Sequence, residues 1–294
     1  MTHSLLESQS HTEFDIQSYQ RTLLPYAYNI LGVIEDAEDV VQEVLIKWLE
    51  IDKTQIANQK SFLVRSVINK AINEKKSQLV KRKSYPGNWL PQPISTLGEA
   101  TVDREKVLSY AYLVMLEVLK EKERSVFILK EVFDYEHSEI GELLNITTEN
   151  SRQIFKRAKD KLNLKGSVKV KPNIATSNLE KFIRAFKSAD VKQLGQLLTD
   201  DIAFTSDGGE KIAASKNVIY GKESVIKLIA GIRKKFYPEI EGRVVEVNGD
   251  IAILYYWKEQ IKACQILCFK EDKVENIYHI VNPDKLKAFA LGGD

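Results

Sequence analysis

Cysteine, histidine and long apolar runs are all scarce in this chain of 294 residues. The two cysteines are Cys264 and Cys268. On one strand they would lie roughly 13 Å apart, beyond disulfide reach. A disulfide scaffold and a cysteine-rich zinc module are thereby excluded. His3, His11 and His137 share no metal-ligand spacing, and no glycine-rich phosphate loop occurs, so neither metal nor cofactor is expected. The longest apolar runs, such as Ile251–Trp257 and Ala111–Leu116, fall far short of the ~20 residues of a membrane helix. No basic start followed by an apolar stretch opens the chain, which points to the cytoplasm. What is present, 44% hydrophobic and 29% charged residues, suits a soluble globular protein of two domains or three small ones.

A net charge of +2 hides an uneven distribution. Residues 30–59 carry seven acids against two bases, and residues 60–83 carry eight bases against one acid. Neighbouring acidic and basic patches suggest two different partners, and a basic patch of this size suits phosphate neutralisation. Two solvated helix faces would produce the same counts.

Residues 13–165 read as nearly all helix. Val40, Val44 and Trp48 recur every fourth residue beside Val41, Leu45 and Leu49, making a wide apolar face. Leu63, Val67 and Ala71 repeat the pattern beside Val64, Ile68 and Ile72, and leave Arg65, Asn69, Asn73 and Lys76 on a polar face. YPGNWLPQPIS (85–95) holds three of the seven prolines and breaks the helix into an extended linker. A second, polar linker covers 166–178. Beyond it two short helices, a strand at 202–206, a DGGEK turn, a helix from Lys222 and four strands from Gly242 onward form an α+β unit, read as an antiparallel meander.

EHSEIGELLN followed by ITTEN reads as a helix, a tight turn and a second helix capped by Thr147 or Thr148. Ile154, Ala158 and Leu162 turn inward with Phe155 beside them. Glu149, Arg152, Gln153 and Lys156 share the outer face near the helix start, where base edges are read, and Arg157 and Lys159 suit phosphates. A plain helical hairpin is the alternative.

In this order, the segments 24–50 and 119–162 resemble the extracytoplasmic-function RNA polymerase sigma factors, specifically the subgroup with a fused SnoaL-like domain. DAEDVVQE (Asp36–Glu43) with Trp48 matches the stretch that grips the polymerase clamp helices. The resemblance therefore implies polymerase binding by Asp36, Asp39, Gln42 and Glu43. It implies capture of the melted −10 strand by Arg65, Asn69, Asn73, Lys75, Lys76, Lys81, Arg82 and Lys83. Reading of the −35 element would fall to Glu149, Asn150, Arg152, Gln153, Lys156 and Arg157. The implied domains are 1–84, a linker 85–106, a helix-turn-helix domain 107–165, a linker 166–177 and a SnoaL-like cone at 178–294.

WLPQP, DGGEK and NPDKL resemble that subgroup's linker and C-terminal motifs. They imply a regulatory contact between Trp89, Leu90, Pro91 and Pro93 on one side and Asp207, Gly208, Gly209, Lys211, Asn282, Pro283, Asp284 and Lys285 on the other. Glu210 stands where the subgroup has glycine, and Gln92 where it has glutamate. Residues 63–84 contain no aromatic, so a row of stacked rings is not how unpaired bases would be held; a polar pocket fits better. His279, Asp207 and Tyr255–Trp257 are the candidates for chemistry or for a small molecule in the cone, and a regulatory rather than enzymatic domain is expected. Two other readings differ in class: a stand-alone ligand-responsive regulator, and an isomerase or hydrolase with a DNA-binding appendage. The acidic 36–43 face favours a polymerase-binding protein over the stand-alone regulator, which has no use for a clamp-binding face.

Overall fold

The structure is a computed structural model that describes residues 16–95, 103–163, 176–188, 190–236 and 240–289. Three helices come first: α1 (Ile16–Leu31), α2 (Ile34–Glu50) and α3 (Gln59–Lys81). Their apolar faces, including Leu24, Val41, Trp48, Val64 and Ile68, are buried together. Asn58 starts α3 by accepting from Ser61 N at 2.9 Å, the cap that its sequence position calls for. Residues 85–94 form no helix. The second helical unit contains α4 (Tyr110–Met115), α5 (Glu121–Glu131), α6 (His137–Leu144) and α7 (Thr148–Lys161). The two units are not separate cores. Val126, Phe127 and Leu129 of α5 belong to the same buried cluster as α1 to α3, and Tyr26 of α1 stacks on Phe133 at 3.6 Å.

The last third holds α8 (Thr176–Ser188), α9 (Val191–Leu197), β1 (Leu198–Asp207), β2 (Ile219–Tyr220), α10 (Lys222–Phe236), β3 (Glu241–Val247), β4 (Asp250–Trp257), β5 (Gln260–Lys270), β6 (Lys273–Ile280) and α11 (Pro283–Leu286). The sheet order is β2-β1-β6-β5-β4-β3. Pairing from β3 to β6 is antiparallel, as a meander requires. β1, however, runs parallel to β6, a pairing outside the expected meander. Three successive hairpins bring β6 beside β1 in the same direction.

Strand alternation gives the sheet two buried faces. Phe204, Ile253, Tyr255, Leu267 and Ile277 pack toward α8, α9 and α10. Val247, Leu254, Cys264, Ile266, Tyr278 and Ile280 pack on Leu90 of the linker and Tyr110 of α4. Both cysteines are free and buried on β5. The outer face of the C-terminal sheet is thus a docking floor for the helical units.

Candidate polymerase and nucleic-acid faces and the linker clamp

On α2 the apolar stripe Val40, Val44 and Trp48 is buried. Asp39, Gln42 and Glu43 are exposed on the other side. Glu43 accepts from Lys70 of α3, and Asp36 accepts from Gln78. On α3, Arg65, Asn69, Asn73, Lys76 and the terminal Lys81 are exposed, as is Lys83 just beyond. Asn69 Nδ2 donates to Arg65 O at 2.9 Å and reaches Leu143 O of α6 at 3.5 Å.

The helix-turn-helix is built as its sequence suggests. Thr147 is the cap, accepting from Asn150 N at 3.1 Å. Asn145 ends α6 in the left-handed region at φ 52°, a conformation asparagine tolerates. Gly141 makes the tight turn possible, since a Cβ there would meet Ile146 O at 2.7 Å. Ile154 and Ala158 are buried. Glu149, Asn150, Arg152, Gln153, Lys156 and Arg157 are all exposed along α7, with Arg152 paired to Glu149 at 3.2 Å. His137 at the start of α6 meets Ser151 Oγ at 2.9 Å, tying the two helices together.

The linker is gripped at two places. At the first, Asp207 is fully buried. Its carboxylate accepts from Tyr85 Oη at 2.5 Å, Leu90 N at 2.8 Å and Lys285 Nζ at 2.6 Å. Lys285 also donates to Leu90 O and lies 4.3 Å from the Trp89 ring centre, whose ring the Arg82 guanidinium approaches at 3.0 Å. Burial lowers Lys285 to about 8, with Asp207 opposing the shift. Asn282 donates to Tyr85 Oη at 3.0 Å, and Gly209 leaves room for it, because a Cβ there would meet Asn282 Nδ2 at 2.6 Å. Lys211 and Asp284 form a separate, exposed pair at 2.8 Å. The four charges therefore split into one buried pair and one rim pair.

At the second place the β3–β4 turn holds the linker and α4. Asn248 and Gly249 both have positive φ, the geometry of a two-residue hairpin turn. Asn248 accepts from Ile94 N at 2.8 Å and donates to Tyr28 Oη at 2.9 Å. Asp250 accepts from Ala111 N at 3.2 Å. Tyr28 and Tyr110 in turn donate to the carbonyls of Gln92 and Pro91, each at 2.7 Å. The sequence marks 248–249 only as a turn; nothing local reveals that it also touches the linker.

Gln92 explains one departure from the subgroup motif. Its Oε1 accepts from Ile34 N at 3.0 Å and its Nε2 donates to Glu35 at 2.9 Å. It thus caps α2, whose own cap residue Val33 has no side-chain bond. A carboxylate here would face Glu35. Glu210 is exposed and is not among the positive-φ residues, so its side chain brings no backbone strain to the turn.

Between the helical units lies a charge cluster that sequence reasoning missed. Glu117 accepts from Lys75 Nζ at 3.0 Å, from Arg82 Nη1 at 2.7 Å and from Arg124. Burial pushes the Glu117 carboxyl up, but Arg124, Lys75 and Arg82 outweigh it and hold it at about 2. Desolvation lowers Lys75 well below the usual lysine range, and Arg124 adds to that.

Two family descriptions match this chain: Sigma-70 region 2 over residues 16–79 and Sigma-70, region 4 over residues 109–162. The ECF RNA polymerase sigma factor SigJ of Mycobacterium tuberculosis is 25% identical over 293 residues, covering 94% of both chains. The chain belongs to the extracytoplasmic-function sigma factors. A probable ECF sigma factor of the same organism, SigI, is also 25% identical, over 94% of this chain and 96% of the relative. The crystal structure of SigJ has a TM-score of 0.74 at 24% identity, covering 92% of this chain and 97% of that one, a likeness of fold that includes the α+β C-terminal part.

For this sigma factor two of the expected DNA-facing residues need correction. Lys75 is 1% exposed and the Arg82 side chain 12%. Both face Glu117 rather than solvent, because the region-4 unit packs over that stripe of α3. The C-terminal candidates for chemistry are not assembled either. His279 lines a small cavity with Phe186, Phe204, Ile229, Ile232, Tyr255 and Gln265, and burial lowers it to about 4. Asp207 is committed to the linker on the other face of the sheet, and Trp257 is 42% exposed. Among the described residues no cluster suited to a metal and no helix long and apolar enough to cross a membrane occurs.

Proposed function

We propose that this sigma factor binds core RNA polymerase, directs it to promoters, and has its activity set by its own C-terminal domain through the linker clamp. The observation that carries the regulatory half is the buried Asp207–Lys285 pair closing on both backbone groups of Leu90. On this reading residues 1–84 bind polymerase through Asp36, Asp39, Gln42 and Glu43 and the −10 strand through the exposed Arg65, Asn69, Asn73, Lys76, Lys81 and Lys83. Residues 107–165 read the −35 element through α7, and residues 178–294 regulate. Opposite charge at the α2 face aids encounter and register with a basic partner more than affinity. The protein works in the cytoplasm, where its polymerase partner acts.

We read the C-terminal domain as regulatory and not catalytic, since Asp207 is engaged by Lys285 and the linker while His279 faces the cavity on the other side of the sheet. A small neutral molecule in the cavity is a second candidate partner, favoured by the unpartnered Gln265 Nε2 and His279 Nδ1. The test is co-purification with core polymerase and promoter-directed run-off transcription. Asp39→Lys/Glu43→Lys should lose polymerase while keeping the wild-type circular dichroism spectrum and a cooperative melt, lowered only by loss of the exposed Glu43–Lys70 pair. Unchanged co-purification would remove Asp39 and Glu43 from the polymerase face.

A further inference from the structure

Lys75, Gln78 and Arg82 form one stripe of α3 and its continuation, at the spacing that aligns side chains on a helix. Lys75 and Arg82 point into the junction with the region-4 unit, and Gln78 is buried between Arg82 and Asp36 of α2. Glu117, on the short turn Leu116–Val118, takes Lys75 Nζ on both carboxylate oxygens, at 3.0 and 3.2 Å, and Arg82 Nη1 at 2.7 Å. An oxyanion that collects several charge-assisted bonds from lysine and arginine makes the contacts a backbone phosphate makes. Arg82 is further held by Gln78 Oε1 at 3.0 Å, and its guanidinium lies against Trp89.

The cluster is also unbalanced. Lys75, Arg82 and Arg124 surround the single carboxylate of Glu117, and Lys285 lies 4.3 Å from the centre of the Trp89 ring that Arg82 also approaches. Arg124 Nη2 is buried without a partner. Gln78 binds the nearby Asp36; the remaining acid, Asp207, is occupied by Lys285 and the linker. Buried charge left uncompensated is a poor way to stabilise an interface. It is a good way to keep cations ready for a polyanion.

We propose that Glu117 stands in for a DNA phosphate, holding Lys75 and Arg82 in the closed arrangement and yielding them to single-stranded promoter backbone when the two helical units separate. The proposal rests on the sigma-factor reading and adds to it the carboxylate that competes with DNA. Lys76, Lys81 and Lys83 are exposed beside the stripe, so a strand can engage them first and then gain the two hidden cations. The buried pair thereby separates a weak, non-committal contact from a strong one.

The experiment uses the full chain and a fluorescein-labelled single strand of mixed sequence, about 20 nucleotides long, with affinity followed by anisotropy across roughly 50–300 mM salt. Each phosphate neutralised on a single strand adds about 0.7 to the slope of log affinity against log salt. Glu117→Gln should steepen that slope by about 1.4 and tighten binding at least about tenfold at the lowest salt. Adding Lys75→Met and Arg82→Met to the same chain should return both values to wild type. Small-angle scattering on the same samples reports whether the units have separated. Should Glu117→Gln fail to fold, Glu117→Gln with Arg124→Met keeps the excess charge of the cluster constant and serves in its place. A folded variant whose slope equals wild type overturns the proposal, whether or not its radius of gyration has grown. So does a gain that survives loss of Lys75 and Arg82. Binding to core polymerase, measured in parallel, is untouched by either failure, and its absence in the wild-type protein would instead remove the sigma-factor reading.

Discussion

Asp250 is 2% exposed and holds α4 to the C-terminal sheet with a carboxylate that burial raises to about 6. Because the folded-state value lies above the usual 3.8, its favourable contribution is complete at acid pH and is lost as pH rises through 6. At pH 7 the molecule therefore carries a charged, desolvated group at a cost on the order of 3 kcal/mol, two units at 1.36 each. Asp250→Asn should be more stable than wild type at pH 7 by up to that amount, and the difference should vanish toward pH 4. Denaturant titrations of both proteins across that range check this, and taking their difference cancels the other carboxylates. A constant difference at all pH values would mean that Asp250 does not titrate there. The residue could not be singled out from sequence, where Asn248–Gly249–Asp250 reads only as a hairpin turn.

Among the elements, α7 carries the clearest sequence signature. Thr147, Ile154 and Ala158 set which side faces in, so the outward set Arg152, Gln153 and Lys156 was legible from spacing alone. Arg152→Ala or Gln153→Ala should relax preference at individual −35 bases by about 1–3 kcal/mol for each bidentate hydrogen-bond pair removed. Lys156→Ala should weaken all promoters about equally and flatten the salt dependence. Binding to a set of single-base −35 variants distinguishes these, and an unchanged ranking with Arg152→Ala would move the reading face elsewhere. α3 was legible only in part. Its periodicity puts Lys75 on the apolar stripe, four residues after Ala71 and three after Ile72, with Arg82 seven further on. Their withdrawal from solvent was thus written in the spacing, but their partner was not. Periodicity marks which positions avoid water, but not which carboxylate of another unit a lysine at such a position will meet.

For the whole molecule the decisive feature is one floor with several tenants. The outer face of the C-terminal sheet carries Leu90 of the linker and Tyr110 of α4 in a single cluster, while Trp89 lies among Arg82, Lys75 and Lys285. Removal of that floor exposes apolar surface on the linker and α4 and breaks the hold of Asn248 on Tyr28 of α1. A truncation after Ser177 and Trp89→Ala should each change promoter-directed transcription relative to the full chain, and the Trp89 fluorescence should differ with and without the C-terminal domain. Equal transcription from all three proteins would sink the regulatory role of the clamp.

The helical units, the cap and outward face of α7, the break of helix at 85–95 and the α+β character of the last third were all written in the order of the amino acids. They follow from local physics: apolar periodicity, proline's missing N–H and the hydroxyl that caps a helix. Three-dimensional packing was needed to set β1 beside β6 in parallel, to merge both helical units into one core, and to pair Asp207 with Lys285 while Lys211 meets Asp284. Packing also gives Lys75 and Arg82 to Glu117. Each of these joins residues far apart in the chain, where the choice of partner depends on which surfaces meet and on which charges burial leaves without water.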